Sequence, residues 1–246
     1  MLWSQLCLTG KTGRLFARTL LERAKGTPLD ITADYNVSPI QDDVTLLPLF
    51  AQQIRSLRLR TRFPDDIRGL SMTISGSLPL LHTLEINPGG YPSNRDPRQS
   101  LHFFKGAVNL KNFILHTRGY PSLHHFAFPN LTTLEFSTCS MEFPVSRLLN
   151  FLEASPALRQ IWIKTGLFRK DAPPERIIVL SDVESFSLVV KSQPTYHVPL
   201  QSAWNSHVRL NAPGITITRI PTLHRFHGTL LFVSIRGARP SELCLI

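Results

Sequence analysis

An α/β solenoid with a parallel sheet along one side is the fold class this sequence predicts, and two observations predict it. A six-residue frame with apolar residues at its first, fourth and sixth positions recurs along the chain, and the intervening positions repeat in character. The clear copies are IRSLRL (Ile54 to Leu59), LHTLEI (Leu81 to Ile86), LKNFIL (Leu110 to Leu115), LTTLEF (Leu131 to Phe136), LRQIWI (Leu158 to Ile163) and VESFSL (Val183 to Leu188). Their starts lie 27, 29, 21, 27 and 25 residues apart. Weaker copies at Trp3 to Leu8, Gly26 to Ile31, Asn205 to Leu210 and Leu230 to Ile235 bring the total to about ten units of 21–29 residues in the 246-residue chain. A period of this length around an LxxLxL core marks leucine-rich-repeat-like solenoids, in which strands stack because no unit can bury its apolar face alone.

Side chains alternate along a strand, so the apolar pair of each LxL points one way and its neighbours the other. The outward columns test the register. The first reads Ser56, Thr83, Asn112, Thr133, Gln160 and Ser185, all small or polar. The next reads Arg58, Glu85, Ile114, Glu135, Trp162 and Ser187, and the last Arg60, Asn87, His116, Ser137, Lys164 and Val189. A one-residue slip would exchange the faces and mix these sets.

Between strands the spacing turns helical. In PVSRLLNFLEASP, Val145, Leu148, Leu149 and Leu152 fall at i, i+3, i+4 and i+7, with Pro144 suited to a first turn and Pro156 to a stop. Gly13 to Lys25 and Asp43 to Gln53 are also expected to be helical, Pro48 limiting or kinking the second. Asp65 to Gly76 is a fainter helical pattern weakened by Gly69, and PSLHHFAFP leaves room for little more than a turn. Pro88 to Ser100 and Phe168 to Arg176 read as loops leaving the same edge of the sheet. No composition break divides the chain, so residues 1–246 are expected to form one solenoid domain, its N-terminal apolar end lacking a cap.

With 42% hydrophobic residues the chain can bury a sizeable core, yet its apolar runs are far shorter than the ~20 residues a membrane span needs. The N-terminus has no basic head before its apolar stretch, unlike a secretory signal. The three cysteines, Cys7, Cys139 and Cys244, are odd in number and widely separated, which argues against a disulfide framework. An intracellular location, cytoplasmic or nuclear, is expected, with no membrane partner.

Net charge is +10, from 27 Lys and Arg against 17 Asp and Glu. From Ser185 onward the only acid is Glu242, against Lys191, Arg209, Arg219, Arg225, Arg236 and Arg239, and Arg55, Arg58, Arg60, Arg62 and Arg68 form a second cluster. Solvated charge that keeps an apolar solenoid soluble explains both. The alternative is nucleic-acid binding by the basic C-terminal quarter, which no nucleic-acid motif accompanies.

Chemistry-bearing motifs are weak. Gly10-Lys11-Thr12 ends like a phosphate-binding loop, but Gln5 stands where the first glycine belongs. Asn36-Val37-Ser38 and Asn130-Leu131-Thr132 match the glycosylation sequon without a secretory signal. His124 and His125 are adjacent, so on an extended segment they point to opposite faces, and with His116 they form no zinc-like spacing. No serine sits in a G-x-S-x-G elbow and Cys139 has no evident base. A non-enzymatic protein with no cofactor or metal is expected.

Three passages resemble a known group: LWSQLCLTGKTGRLFARTLLERAKGTPLDI near the start, FPNLTTLEFS (Phe128 to Ser137) and LLNFLEASPALRQIWI (Leu148 to Ile163). They are similar to F-box proteins of mushroom-forming fungi that carry leucine-rich-repeat-like C-terminal regions. In that family the first pattern follows the F-box, which docks the adaptor of a cullin-type ubiquitin ligase. Only Met1 precedes Leu2 here. The resemblance therefore implies a target-recognition region without its docking element, with the ligase adaptor as partner only if the full gene product carries an F-box.

The expected binding face for an unidentified protein target comprises Arg58, Arg60, Glu85, Asn87, Ile114, His116, Glu135, Trp162 and Lys164. Trp162 is its centre, because an exposed aromatic between Gln160 and Lys164 is suited to anchoring a partner unless a loop folds over it.

Overall fold

The structure, a computed structural model, describes residues 4–9, 14–24, 26–35, 44–61, 78–88, 107–117, 128–138, 142–165, 167–169, 177–191, 205–210, 215–220, 230–235 and 244–245. In chain order the strands are β1 (Gln5–Thr9), β2 (Leu29–Tyr35), β3 (Ile54–Thr61), β4 (Thr83–Pro88), β5 (Asn112–Thr117), β6 (Thr133–Thr138) and β7 (Glu142–Pro144). They continue with β8 (Gln160–Thr165), β9 (Leu167–Arg169), β10 (Ile177–Leu180), β11 (Ser185–Lys191), β12 (Asn205–Leu210), β13 (Ile215–Ile220), β14 (Leu230–Ile235) and β15 (Cys244–Leu245). Two α-helices, α1 (Arg14–Arg23) and α2 (Val145–Glu153), and a 3-10 helix (Val44–Gln53) lie between them.

The main sheet runs β1-β2-β3-β4-β5-β6-β8-β11-β12. Its first eight strands are parallel and stand in the order in which the chain makes them. The register aligns the six clear frames residue for residue. Leu57, Leu84, Phe113, Leu134, Ile161 and Phe186 form one row, and Leu59, Ile86, Leu115, Phe136, Ile163 and Leu188 another. The leading residues Ile54, Leu81, Leu110, Leu131, Leu158 and Val183 are each 0% exposed. Burying a side chain of this size contributes about 1.5–3 kcal/mol, and the three rows supply about half of the one shared core described.

Backbone hydrogen bonds repeat with the same period. The second-position carbonyl of each frame accepts from the second- and third-position amides of the next: His82 O accepts from Lys111 N and Asn112 N, both at 2.9 Å. Lys111 O, Thr132 O and Arg159 O repeat the pattern onto the units that follow. A turn three residues upstream recurs too, with Leu81 N donating to Leu78 O, Leu110 N to Ala107 O, Leu131 N to Phe128 O and Leu158 N to Ser155 O. Side chains reinforce it where asparagine allows: Asn109 Nδ2 donates to Pro79 O at 2.7 Å, and Asn130 Nδ2 to Val108 O at 2.9 Å. The sequon residues Asn130 and Thr132 thus have structural partners, Thr132 Oγ1 donating to Lys111 O.

The helices pack beneath the inner face. Leu148, Leu149, Phe151 and Leu152 of α2 are buried, and Phe151 meets Phe113 and Phe128 at ring-centroid distances of 6.2 and 6.3 Å. Helix α1 buries Leu21 and exits through Gly26, whose φ of 72° is the left-handed conformation glycine adopts cheaply just after a helix.

Several expectations are corrected. Gly26 opens no repeat frame. Ile31 stands opposite Leu57 and Ala33 opposite Leu59, so the true frame of β2 lies two residues later, displaced by a register shift between Leu29 and Asp30. The segment Asn205 to Leu210 is a strand, but β12 runs antiparallel to β11. Leu230 to Ile235 joins the separate antiparallel sheet β10-β13-β14-β15. The parallel array therefore has eight strands, not ten. Around Pro48 the chain forms a 3-10 helix instead of an α-helix, consistent with an imino acid that cannot donate to an i−4 carbonyl. Phe168 and Arg169, expected in a loop, belong to β9, which pairs with β7. The fainter helix at 65–76, residues 89–100, and His124 and His125 lie outside the described residues.

Candidate protein-binding face

The outward side chains of the parallel strands form three rows crossing the sheet. The row nearest the strand starts, from Ser56 to Ser185, carries no charge from β3 onward, and Asn112 Nδ2 donates to Thr83 Oγ1 at 3.2 Å within it. The middle row places Arg58, Glu85, Ile114, Glu135, Trp162 and Ser187 side by side. In the third row Arg60 stands opposite Asn87, and His116, Ser137, Lys164 and Val189 are successive neighbours. The sheet thus brings all nine candidate residues onto one surface, because its register keeps alternate residues of every strand on the same side.

The charges on this surface largely pair across strands. Glu85, only 14% exposed at its side chain, lies between Arg58 Nε at 3.6 Å and Arg60 Nη2 at 3.7 Å. His116 Nε2 lies 3.7 Å from Glu135 Oε1. Exposed pairs of this kind contribute only about 0.2–1 kcal/mol each, so their main effect is to orient side chains. Lys164 differs: it is exposed, and among the described residues no carboxylate lies within ion-pair distance of it.

Trp162 is 37% exposed, the one large aromatic among the exposed apolar residues described. It walls an open hollow of about 480 Å³ that also involves His116, Glu135, Ser137, Lys164, Ser187 and Val189. Ile114, two strands away in the same row, is half-buried. The hollow spans β5, β6, β8 and β11, whereas Arg58, Arg60, Glu85 and Asn87 form a separate charged cluster on β3 and β4.

Ser137, Ser187 and Val189 are contributors that sequence reasoning left out of the site. They stand in the outward columns but carry neither charge nor aromatic ring, so only the concavity singles them out. Asp30 and Asp34 on β2 were also left out, because the outward columns were drawn from the six clear frames, which do not include that strand. With these two included, strands β2 to β8 carry four carboxylates on this face, Asp30, Asp34, Glu85 and Glu135, against the cations Arg58, Arg60 and Lys164, and Arg55, which binds Asp30.

Of the basic C-terminal quarter, Arg225, Arg236 and Arg239 lie outside the described residues, as do Arg62 and Arg68 of the second cluster, while Lys191, Arg209 and Arg219 are described only as positions on β11, β12 and β13. Among the described residues no three His, Cys, Asp or Glu side chains come together as a metal site, and no helix is long and apolar enough to cross a membrane. Comparison with protein-family models, with curated proteins and with solved structures yields no match to this chain.

Proposed function

We propose that this chain is a leucine-rich-repeat-like solenoid that binds another protein on its strand-lined face and catalyses no reaction. The in-register frames, the recurring hydrogen bonds at the second position and the recurring upstream turn support the repeat architecture. Such stacking gives a broad, rigid platform whose outward residues can vary without disturbing the core.

One observation carries the functional part: Trp162 is held exposed at the wall of a hollow, on a strand locked between two others, with Lys164 beside it. Aromatic residues preorganised in this way dominate protein interfaces, because they bury a large area at little cost in conformational freedom. By the resemblance described above, the chain would act like the target-recognition region of an F-box subunit, and the bound protein would then be a ligase target.

Affinity capture with the wild-type chain and with Trp162→Ala and Arg58→Ala, each checked for folding and repeated after nuclease treatment, tests the proposal. Partners that survive nuclease and are lost with Trp162→Ala are expected. Capture unchanged by both substitutions would remove the face assignment, and loss of all partners on nuclease treatment would favour nucleic acid instead.

A further inference from the structure

The hollow beside Trp162 has a chemistry more specific than a generic contact surface. Its apolar wall is the indole, in the middle row. Its upper rim is the third row, where Ser137, Lys164 and Val189 are register neighbours and none is a carboxylate. Glu135, the carboxylate in the hollow, lies in the middle row and is engaged from the other side by His116. Lys164 is therefore a cation with no ion-pair partner among the described residues, at the edge of a recess walled by one indole.

Trp162 and Lys164 are two residues apart on β8, so their side chains leave the same face about 6.6 Å apart along the strand. An extended segment of a partner shows the same spacing between its own alternate residues. A volume of about 480 Å³ falls inside the range of roughly 300–1,000 Å³ typical of clefts that enclose small ligands, enough for a short stretch of chain and too little for a folded element.

We propose that this hollow receives an extended segment of the partner protein running along β8, with an apolar side chain against Trp162 and, two residues away, an Asp or Glu carboxylate on Lys164. The inference rests on the protein-binding reading above and narrows it to one sequence class of target: apolar-x-acidic. Charge complementarity selects the acidic residue, since a basic one would face Lys164 with its charge unopposed.

Selection of a random dodecapeptide display library on the full chain, followed by sequencing, tests it. The wild-type chain should enrich peptides with an apolar and an acidic residue two positions apart at least tenfold over the input. Lys164→Glu should shift the enrichment to apolar-x-basic peptides, and Trp162→Ala should abolish both. Both substituted residues are exposed, and circular dichroism is the check that each variant stays folded. Failure to enrich any peptide, enrichment without the pair, or an identical set with Lys164→Glu would overturn the proposal. If partner proteins are still captured in a Trp162-dependent manner, only the segment class fails; if they are not, the wider binding reading fails with it.

Discussion

Arg55 of β3 clasps Asp30 of β2 through two hydrogen bonds, Nε to Oδ1 at 3.0 Å and Nη2 to Oδ2, at the point where the parallel register slips. Leu29 pairs with Ile54 and Asp30 with Ser56, so Arg55 is the extra residue of a bulge. Its carbonyl still accepts from His82 N at 2.8 Å. The bulge thus restores the frame for every later unit, while its side chain ties the displaced strand in place.

Arg55 is fully charged at ordinary pH, and its pKa is raised further, first by the hydrogen bond to Asp30, then by the carboxylate's charge, against a smaller loss of hydration. A raised cation pKa gives stabilisation that is complete below the unfolded value and lost only as pH rises through the folded one. Denaturation midpoints should therefore not fall through loss of this clasp between neutral and moderately alkaline pH. Arg55→Lys should not restore what Arg55→Ala loses, because an ammonium cannot reproduce the two-pronged geometry; urea melts of the three forms compare them.

Adjacent residues of β6 should respond oppositely to truncation. Leu134 is buried in the fourth-position row and Glu135 faces outward. Leu134→Ala should cost about 2–5 kcal/mol, and Glu135→Ala should stay within about 0.5 kcal/mol. Chemical denaturation measures both, and equal losses would mean the register is wrong.

Thr165 occupies an inward position at the end of β8, is 0% exposed, and among the described residues its Oγ1 has no hydrogen-bond partner. Val190 stands opposite it at the same frame position of the next unit. Thr165→Val keeps the shape and removes a desolvated hydroxyl, so it should stabilise the fold by about 1 kcal/mol, seen as a higher denaturation midpoint.

Asn130 donates to Val108 O, bridging successive turns. Asn130→Asp replaces that donor with an acceptor facing a carbonyl and should destabilise by about 1 kcal/mol or somewhat more. Asn109→Asp, facing Pro79 O in the unit before, should behave alike.

These positions also show what was readable from sequence. Six frames could be aligned because Ile54, Leu81, Leu110, Leu131, Leu158 and Val183 repeat an unambiguous spacing, and the outward rows followed from alternation alone. Strand direction could not be read: Asn205 to Leu210 has the same period of two whether it runs parallel or antiparallel. The frame of β2 was lost because its Leu29-to-Ile31 spacing is one residue short, the compensating residue being Arg55 in the next strand. The inward threonines Thr61, Thr138 and Thr165 were missed because a hydroxyl reads as polar, although threonine seven residues after the frame start recurs in four of the six clear units. Of the binding face, the charged and aromatic residues stood out in sequence, and the hollow did not, since concavity depends on the small neighbours Ser137 and Ser187.

Site-specific photocrosslinking in extract of the source cells reads out whether a protein binds the strand-lined face. Benzoylphenylalanine would replace Trp162 on the outer face in one form and Asn150, exposed on α2 on the opposite side of the sheet, in another. Discrete protein adducts are expected from position 162 and none from position 150. Adducts from position 150 alone would contradict this and move the interface to the helical side.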